Sequence, residues 1–195
     1  MENYDFITAR SLLKEEKIVS ENYIKNKVIF NIQDVREKIR SGNFELDIIK
    51  NISWKDFEIF CSDILKINGF SCINNVRFKS KNKKRYEIDI LAMSKIKKIL
   101  FSIDAKHWKI GGRSKIEGAI INQARRTNNL FFNSIKIFNY KLNLEKYKDF
   151  KKIPLIITLN KEEIKIYQGI PVIPLEKLDN FLLDFEGYID LMLHF

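Results

Sequence analysis

Asp89, Asp104 and Lys106 have the residue types and the spacing to do phosphate chemistry. Side chains two residues apart on a strand share a face, so Asp104 and Lys106 point together while Ala105 turns away. Glu87 and Asp89 likewise share a face of the strand before. If the two segments form an antiparallel hairpin, opposed residues point the same way, and Asp89 meets Asp104 when paired residue numbers sum to an odd value such as 193. A turn at Ile96-Lys97, or a longer one over 95–98, gives that sum. Two carboxylates and an ammonium then converge at the end of a hairpin. Converging acids repel each other, and a divalent cation relieves the repulsion. Hard carboxylate oxygens suit Mg²⁺, which keeps several waters and binds substrate phosphate at the same time. Such an ion neutralises charge on the phosphorus under attack and lowers the pKa of a water. Lys106 is then placed to hold that water or to stabilise the developing anion.

The elements needed to position these groups are legible around them. Tyr86-Glu87-Ile88-Asp89-Ile90-Leu91-Ala92 and Ile99-Leu100-Phe101-Ser102-Ile103-Asp104-Ala105-Lys106 are rich in β-branched and aromatic residues and read as strands, over 85–93 and 98–105, with an earlier strand over 71–78. Ser53 is a good N-cap for a helix over 54–68, with Gly69 just past its end. Trp54, Phe57, Cys61, Ile64, Leu65 and Asn68 form its stripe, and Glu58 falls inside it. A carboxylate on a buried face needs a partner; at the edge of the stripe it simply reaches solvent. Both readings of Glu58 are open on sequence alone, and in the first it approaches the hairpin from the packed helix.

After Gly111-Gly112, residues 114–130 read as a helix with Ile116, Ala119, Ile120, Gln123 and Thr127 along one side. Ile153-Pro154-Leu155-Ile156-Ile157-Thr158-Leu159 suits a central buried strand. An edge strand over 163–168, a short strand over 169–173 and a closing helix over 175–185 follow. Strands flanked by helices on a mixed sheet make an α/β fold. The first fifty residues read as an accessory, mainly helical extension (helices over 6–19 and 32–41, with Val28-Ile29-Phe30 a short strand). The expected division is therefore 1–52 and 53–195.

Charge is distributed unevenly. The net charge is +10, yet residues 1–52 and residues 131–195 each carry nine basic and nine acidic side chains. Residues 53–130 carry seventeen basic and seven acidic ones, so the whole excess lies there. Its densest part, Arg77 to Arg85, includes Lys79, Lys81, Lys83 and Lys84. A local basic excess is the signature of a polyanion partner; a solvated lysine-rich loop has the same composition. Arg113, Lys115, Arg125 and Arg126 read as phosphate contacts or as ordinary surface charge. His107 is placed to touch a phosphate, and Trp108 either stacks on a base or packs in the core.

Several function classes drop out. There is no GxGxxG or P-loop string, so no nucleotide cofactor is expected. Cys61 and Cys72 form no CxxC pair and read as reduced thiols, so zinc is not expected. No run of about 18 uncharged apolar residues occurs, and the start, MENYDFITARSLLKEE, is acidic where a signal peptide is basic. The expectation is a cytoplasmic protein with no membrane partner.

Taken in order, Glu58, Asp89 and Asp104-Ala105-Lys106 resemble the PD-(D/E)xK nuclease motif. The surroundings are similar to its Mrr-type restriction endonuclease and archaeal Holliday-junction resolvase branches: the helix with Asp56-Phe57-Glu58, the strand after Gly69-Phe70, and the later helix carrying Gln123. The resemblance spans about residues 53–185 and implies a restriction-endonuclease-like core. It also implies that Glu58, Asp89, Asp104 and the backbone carbonyl of Ala105 hold Mg²⁺ (Mn²⁺ substituting), that Lys106 is catalytic, that Gln123 faces the site, and that the protein is a homodimer. Ile88 stands where the motif has proline, and Asp104 where many relatives have Glu or Gln, which shortens the reach to the metal. The function expected is a metal-dependent endodeoxyribonuclease. Open beside it are a non-catalytic DNA-binding or assembly protein on the same scaffold, and a nuclease acting on RNA or branched DNA.

Overall fold

This computed structural model describes residues 23–25, 28–30, 53–108, 112–130, 135–136 and 147–195. The chain divides into two compact units, Met1–Phe44 and Glu45–Phe195. In the first, β1 (Tyr23–Lys25) pairs antiparallel with β2 (Val28–Phe30), so the short strand expected at Val28-Ile29-Phe30 is present and has a partner. The helices expected over 6–19 and 32–41 lie outside the described residues. No described helix is long and apolar enough to cross a membrane.

The second unit is built on a mixed sheet. Its strands are β3 (Ser71–Lys79), β4 (Arg85–Ser94), β5 (Ile99–Lys106), β6 (Ile135–Lys136), β7 (Lys151–Thr158), β8 (Ile166–Tyr167) and β9 (Ile170–Pro174), in the order β6-β3-β4-β5-β7-β9-β8. The helices are α1 (Trp54–Ile67), α2 (Arg113–Asn128) and α3 (Leu175–Asp184), with a 3₁₀ turn over Phe185–Leu191. β5 lies mid-sheet, antiparallel to β4 and parallel to β7, and β7 is parallel to β9. A central strand must be apolar on both faces, which Ile99, Leu100, Phe101 and Ile103 satisfy, all of them buried.

Local chemistry sets the element ends. Ser53 Oγ accepts the Asp56 amide at 3.2 Å and so caps α1. Gln168 and Gly169 both have positive φ, at 50° and 75°, the left-handed pair that a two-residue hairpin turn between β8 and β9 requires. A Cβ on Gly169 would also lie 2.8 Å from the Leu193 amide nitrogen. Pro154 is tolerated within β7 for a directional reason. The Lys152 amide, two residues earlier, donates to Phe195 on the β9 side, so the missing Pro154 amide faces that side, before β9 pairs at Ile156.

Two apolar clusters fix the layers. One joins Val76, Phe78, Ile88, Leu91, Met93 and Leu100 to Leu130 and Tyr147. The other joins Ile116, Ala119 and Ile120 of α2 to Ile156 and Val172 of the sheet. Phe101 meets Phe70, Phe181 and Phe185, which places α3 and the end of α1 over its face. α1 and α3 are tied by Asn68 Nδ2 donating to the buried Asp179 Oδ1 at 2.8 Å.

Two sequence expectations need correction, and one strand is added to those expected. Trp54 is 56% exposed and takes no part in the buried stripe of α1, which begins at Phe57. The edge strand read over 163–168 shrinks to Ile166–Tyr167, the part that has β9 as a partner. The lysine-rich stretch after α2 contains a strand, β6, that extends the sheet beyond β3; two residues are too short to leave a period in the sequence.

Candidate active site

The β4–β5 pairing joins Ile90 to Ile103 and Ser94 to Ile99, so paired residue numbers sum to 193. Asp89 and Asp104 are next in that register, at the end where both strands continue but the ladder stops. The reason for the stop is visible: the Ala105 amide donates to Asp89 Oδ2 at 2.9 Å, a side chain standing where a strand carbonyl would otherwise accept. The carboxylate of Asp89 thus wedges between β4 and β5 and opens the sheet beside Asp104.

The neighbouring strand bends at the same level. Asn75 of β3 has φ 56°, and the otherwise regular β3–β4 pairing omits Asn75 opposite Asp89. Alternation reverses across this point in both strands. Ile73 and Val76 of β3 pack in one cluster, as do Ile88 and Leu91 of β4, although each pair differs by three residues. The strict period-two argument that put Glu87 and Asp89 on one face therefore does not run through this kink, while the β4–β5 register argument does.

Asp104 is 2% exposed and doubly paired: its Oδ1 lies 2.9 Å from Lys106 Nζ and 3.2 Å from the Arg126 guanidinium. Glu58 is 4% exposed, so the solvent-reaching reading of it does not hold. Burial first, then the nearby carboxylates of Glu87 and Asp104, push its carboxyl up to about 7. Asp89 is also raised, chiefly by burial and then by the charge of Asp104 and a hydrogen bond with it; the Ala105 amide acts the other way. Three acids from α1, β4 and β5 therefore sense one another, and Lys106 partly offsets their repulsion at Glu58.

Whether these groups suit a divalent ion can be tested on their present arrangement. Among the described residues, no three His, Cys, Asp or Glu side chains are gathered tightly enough to hold a metal. Asp104 is turned to two cationic side chains and Asp89 to a backbone amide. The chemistry of the donors nonetheless fits. They are hard oxygens, buried and mutually repelling, and they already gather positive charge.

The remaining expected residues are spread over several places around the sheet. Gln123 is fully buried beneath the site: its Nε2 donates to Ser102 Oγ at 2.8 Å, and its Oε1 accepts from Arg126 at 3.4 Å, so it braces α2 against β5. His107 stacks at a tilt on Phe57, 5.2 Å between ring centres. Trp108 packs against the α2 cluster, with Lys106 Nζ 5.6 Å from its ring centre. Lys79, Lys81, Lys83, Lys84 and Arg85 are exposed at the β3–β4 tip, and Lys115 on the first turn of α2. Arg77 pairs with Glu87 at 3.2 Å and Arg113 with Glu117 at 2.9 Å. The sequence reading missed Ser102, whose hydroxyl is fully buried under Gln123; a serine between Phe101 and Ile103 carries no motif signal. Cys61 and Cys72 are free thiols, both raised by burial, Cys72 to about 12.

A hairpin that brings two acids and a lysine together on a helix-flanked mixed sheet defines a restriction-endonuclease-like domain. Residues 49–127 match the family model Mrr_cat, described as a restriction endonuclease and of the PD-(D/E)xK type, so this part of the chain is similar to that family. A crystal structure of a protein of unknown function, AF1548, is similar at 23% identity with a TM-score of 0.42, covering 69% of this chain and 66% of that one. No curated protein matches the chain.

Proposed function

We propose that the protein is a metal-dependent endodeoxyribonuclease that hydrolyses phosphodiester bonds in duplex DNA. The observation that carries the reading is the meeting of Asp89 and Asp104 beside Lys106 where β4 and β5 part. In this reading Asp89, Asp104 and the Ala105 carbonyl hold Mg²⁺, or Mn²⁺ in its place, and Glu58 adds a carboxylate from α1. The bound ion supplies charge neutralisation at the phosphate and a more acidic water. Lys106 orients that water through Nζ and stabilises the anion that develops as the water oxygen bonds to phosphorus and the leaving oxygen departs. Burial of Glu58 and Asp104 keeps bulk water from screening these charges.

DNA is the partner proposed because the basic β3–β4 tip projects from the same end of the sheet as Asp89 and Lys106. Arg85 is four residues from Asp89 on one strand, about 13 Å at strand rise. A duplex lying on the tip reaches the open end of the β4–β5 hairpin. Cutting both strands calls for two such sites, so a homodimer is the assembly proposed.

The test is cleavage of supercoiled plasmid by Asp89→Asn, Asp104→Asn and Lys106→Ala. Each variant is expected to lose cleavage by at least about 10²-fold while a gel shift still shows DNA binding. Full cleavage by all three refutes the proposal.

A further inference from the structure

Arg126 reaches the centre of the site from outside the motif. It belongs to the last turn of α2, yet its guanidinium lies 3.2 Å from Asp104 Oδ1, the same oxygen that Lys106 holds at 2.9 Å. Its other contact is Gln123 Oε1, and Gln123 is in turn fixed by Ser102 Oγ at 2.8 Å. Ser102 and Asp104 are two residues apart on β5, so the chain Ser102–Gln123–Arg126–Asp104 leaves the strand, crosses to the helix and returns to the same face of the strand. An arginine serving only as surface charge has no need of a buried amide beneath it. The Arg126 side chain is still 28% exposed, so an anion arriving from solvent can reach it.

The crowding at Asp104 has a consequence. A divalent ion, a guanidinium and an ammonium cannot all crowd one carboxylate oxygen without strong like-charge repulsion. Lys106 is held near by the strand itself, two residues along. Arg126 is attached through a long side chain on another element and is the group free to leave. When it leaves, its best available acceptor is a phosphate, which a guanidinium binds in a two-pronged fashion.

We propose that Arg126 is a displaceable counter-ion: it occupies Asp104 while neither metal nor DNA is bound, and transfers to a DNA phosphate when the divalent ion takes Asp104. The inference rests on the metal-dependent reading above. Arg126 then opposes metal binding in the free protein and favours it in the DNA complex, so metal and duplex strengthen each other's binding. Such coupling is reciprocal and can be read from either ligand.

Isothermal titration calorimetry of the full chain tests this, with Ca²⁺ as the probe ion, with and without a short duplex whose integrity is checked on a gel. For the wild-type protein, the duplex is expected to tighten Ca²⁺ binding roughly tenfold, within the usual range of coupling. Arg126→Met is expected to bind Ca²⁺ alone about tenfold more tightly than wild type, with little further gain from duplex. Arg126→Lys keeps the charge without the planar fork, guards against misfolding of the methionine variant, and is expected to fall between. Wild-type binding that neither variant alters, or that Arg126→Met weakens with the coupling intact, overturns the inference and leaves the metal-dependent reading standing. No Ca²⁺ or Mg²⁺ binding by wild type at millimolar concentration overturns both.

Discussion

Glu58 shows how a residue of the proposed site can act on stability before any substrate is bound. Its carboxyl sits near 7 rather than 4.5 because it is buried close to Glu87 and Asp104. Between those values the native protein keeps a proton that the unfolded chain has released, so stability falls as pH rises through that window. At about 1.4 kcal/mol per unit, the loss attributable to Glu58 is at most roughly 3.5 kcal/mol. The raised carboxyl of Asp89 works in the same direction. Urea denaturation of metal-free protein is therefore expected to give lower stability at pH 8 than at pH 5, and Glu58→Gln is expected to flatten the slope. A wild-type curve that rises from pH 5 to 8 would contradict the assignment. The position of Glu58 was half legible in the sequence: helical spacing put an acid inside an apolar stripe, but could not say whether it reached water. Asp104 and Lys106 were legible as a face-sharing pair because strand alternation needs no tertiary knowledge. Arg126 as a partner of Asp104 was not, since nothing in local spacing tells which turn of α2 lies over which residue of β5.

Elements explain why the two acids meet at all. The hairpin turn over 95–98 sets the register that aligns Asp89 with Asp104, and turn length is a local property that a sequence displays. The kink opposite is not displayed so openly. Asn75 adopts φ 56° within a strand, and asparagine is one of the few side chains that accepts that conformation. Asn75→Gly is expected to be nearly neutral in stability. Asn75→Val is expected to cost roughly 1–2 kcal/mol in chemical denaturation and to lower cleavage in parallel, because straightening β3 moves Asp89. Equal stability of the valine and glycine variants would show that the bend is not needed. The same contrast separates what was readable elsewhere. β4, β5, β7 and α1 fall within two residues of their expected ends because composition, caps and apolar runs agree there. β6 and the shortened β8 depend on which neighbour supplies hydrogen bonds, and only the folded sheet decides that.

For the molecule as a whole, the decisive quantity is where its positive charge is carried. The net +10 comes entirely from the region holding the site, and the exposed β3–β4 tip concentrates it. Lys79, Lys83 and Arg85 lie on that tip, away from Asp89 and Lys106, so they can grip a phosphate backbone without entering the chemistry. Cations of this kind bind DNA by releasing its counterions, and each phosphate left without its cation lowers the slope of log affinity against log salt by about 0.9 on a duplex. Replacing all three residues with serine is expected to reduce the slope by up to about 3 and to weaken binding equally on unrelated sequences. Cleavage at saturating DNA should stay close to wild type, since the carboxylates, Lys106 and Arg126 are untouched. Fluorescence anisotropy with a labelled duplex over a range of NaCl concentrations measures the slope, and plasmid cleavage at excess enzyme measures the chemistry. A slope unchanged by the triple substitution would mean that the duplex approaches from another side, over α2 and Lys115. A reduced slope with cleavage also abolished at saturation would place the tip inside the reacting complex rather than at its margin.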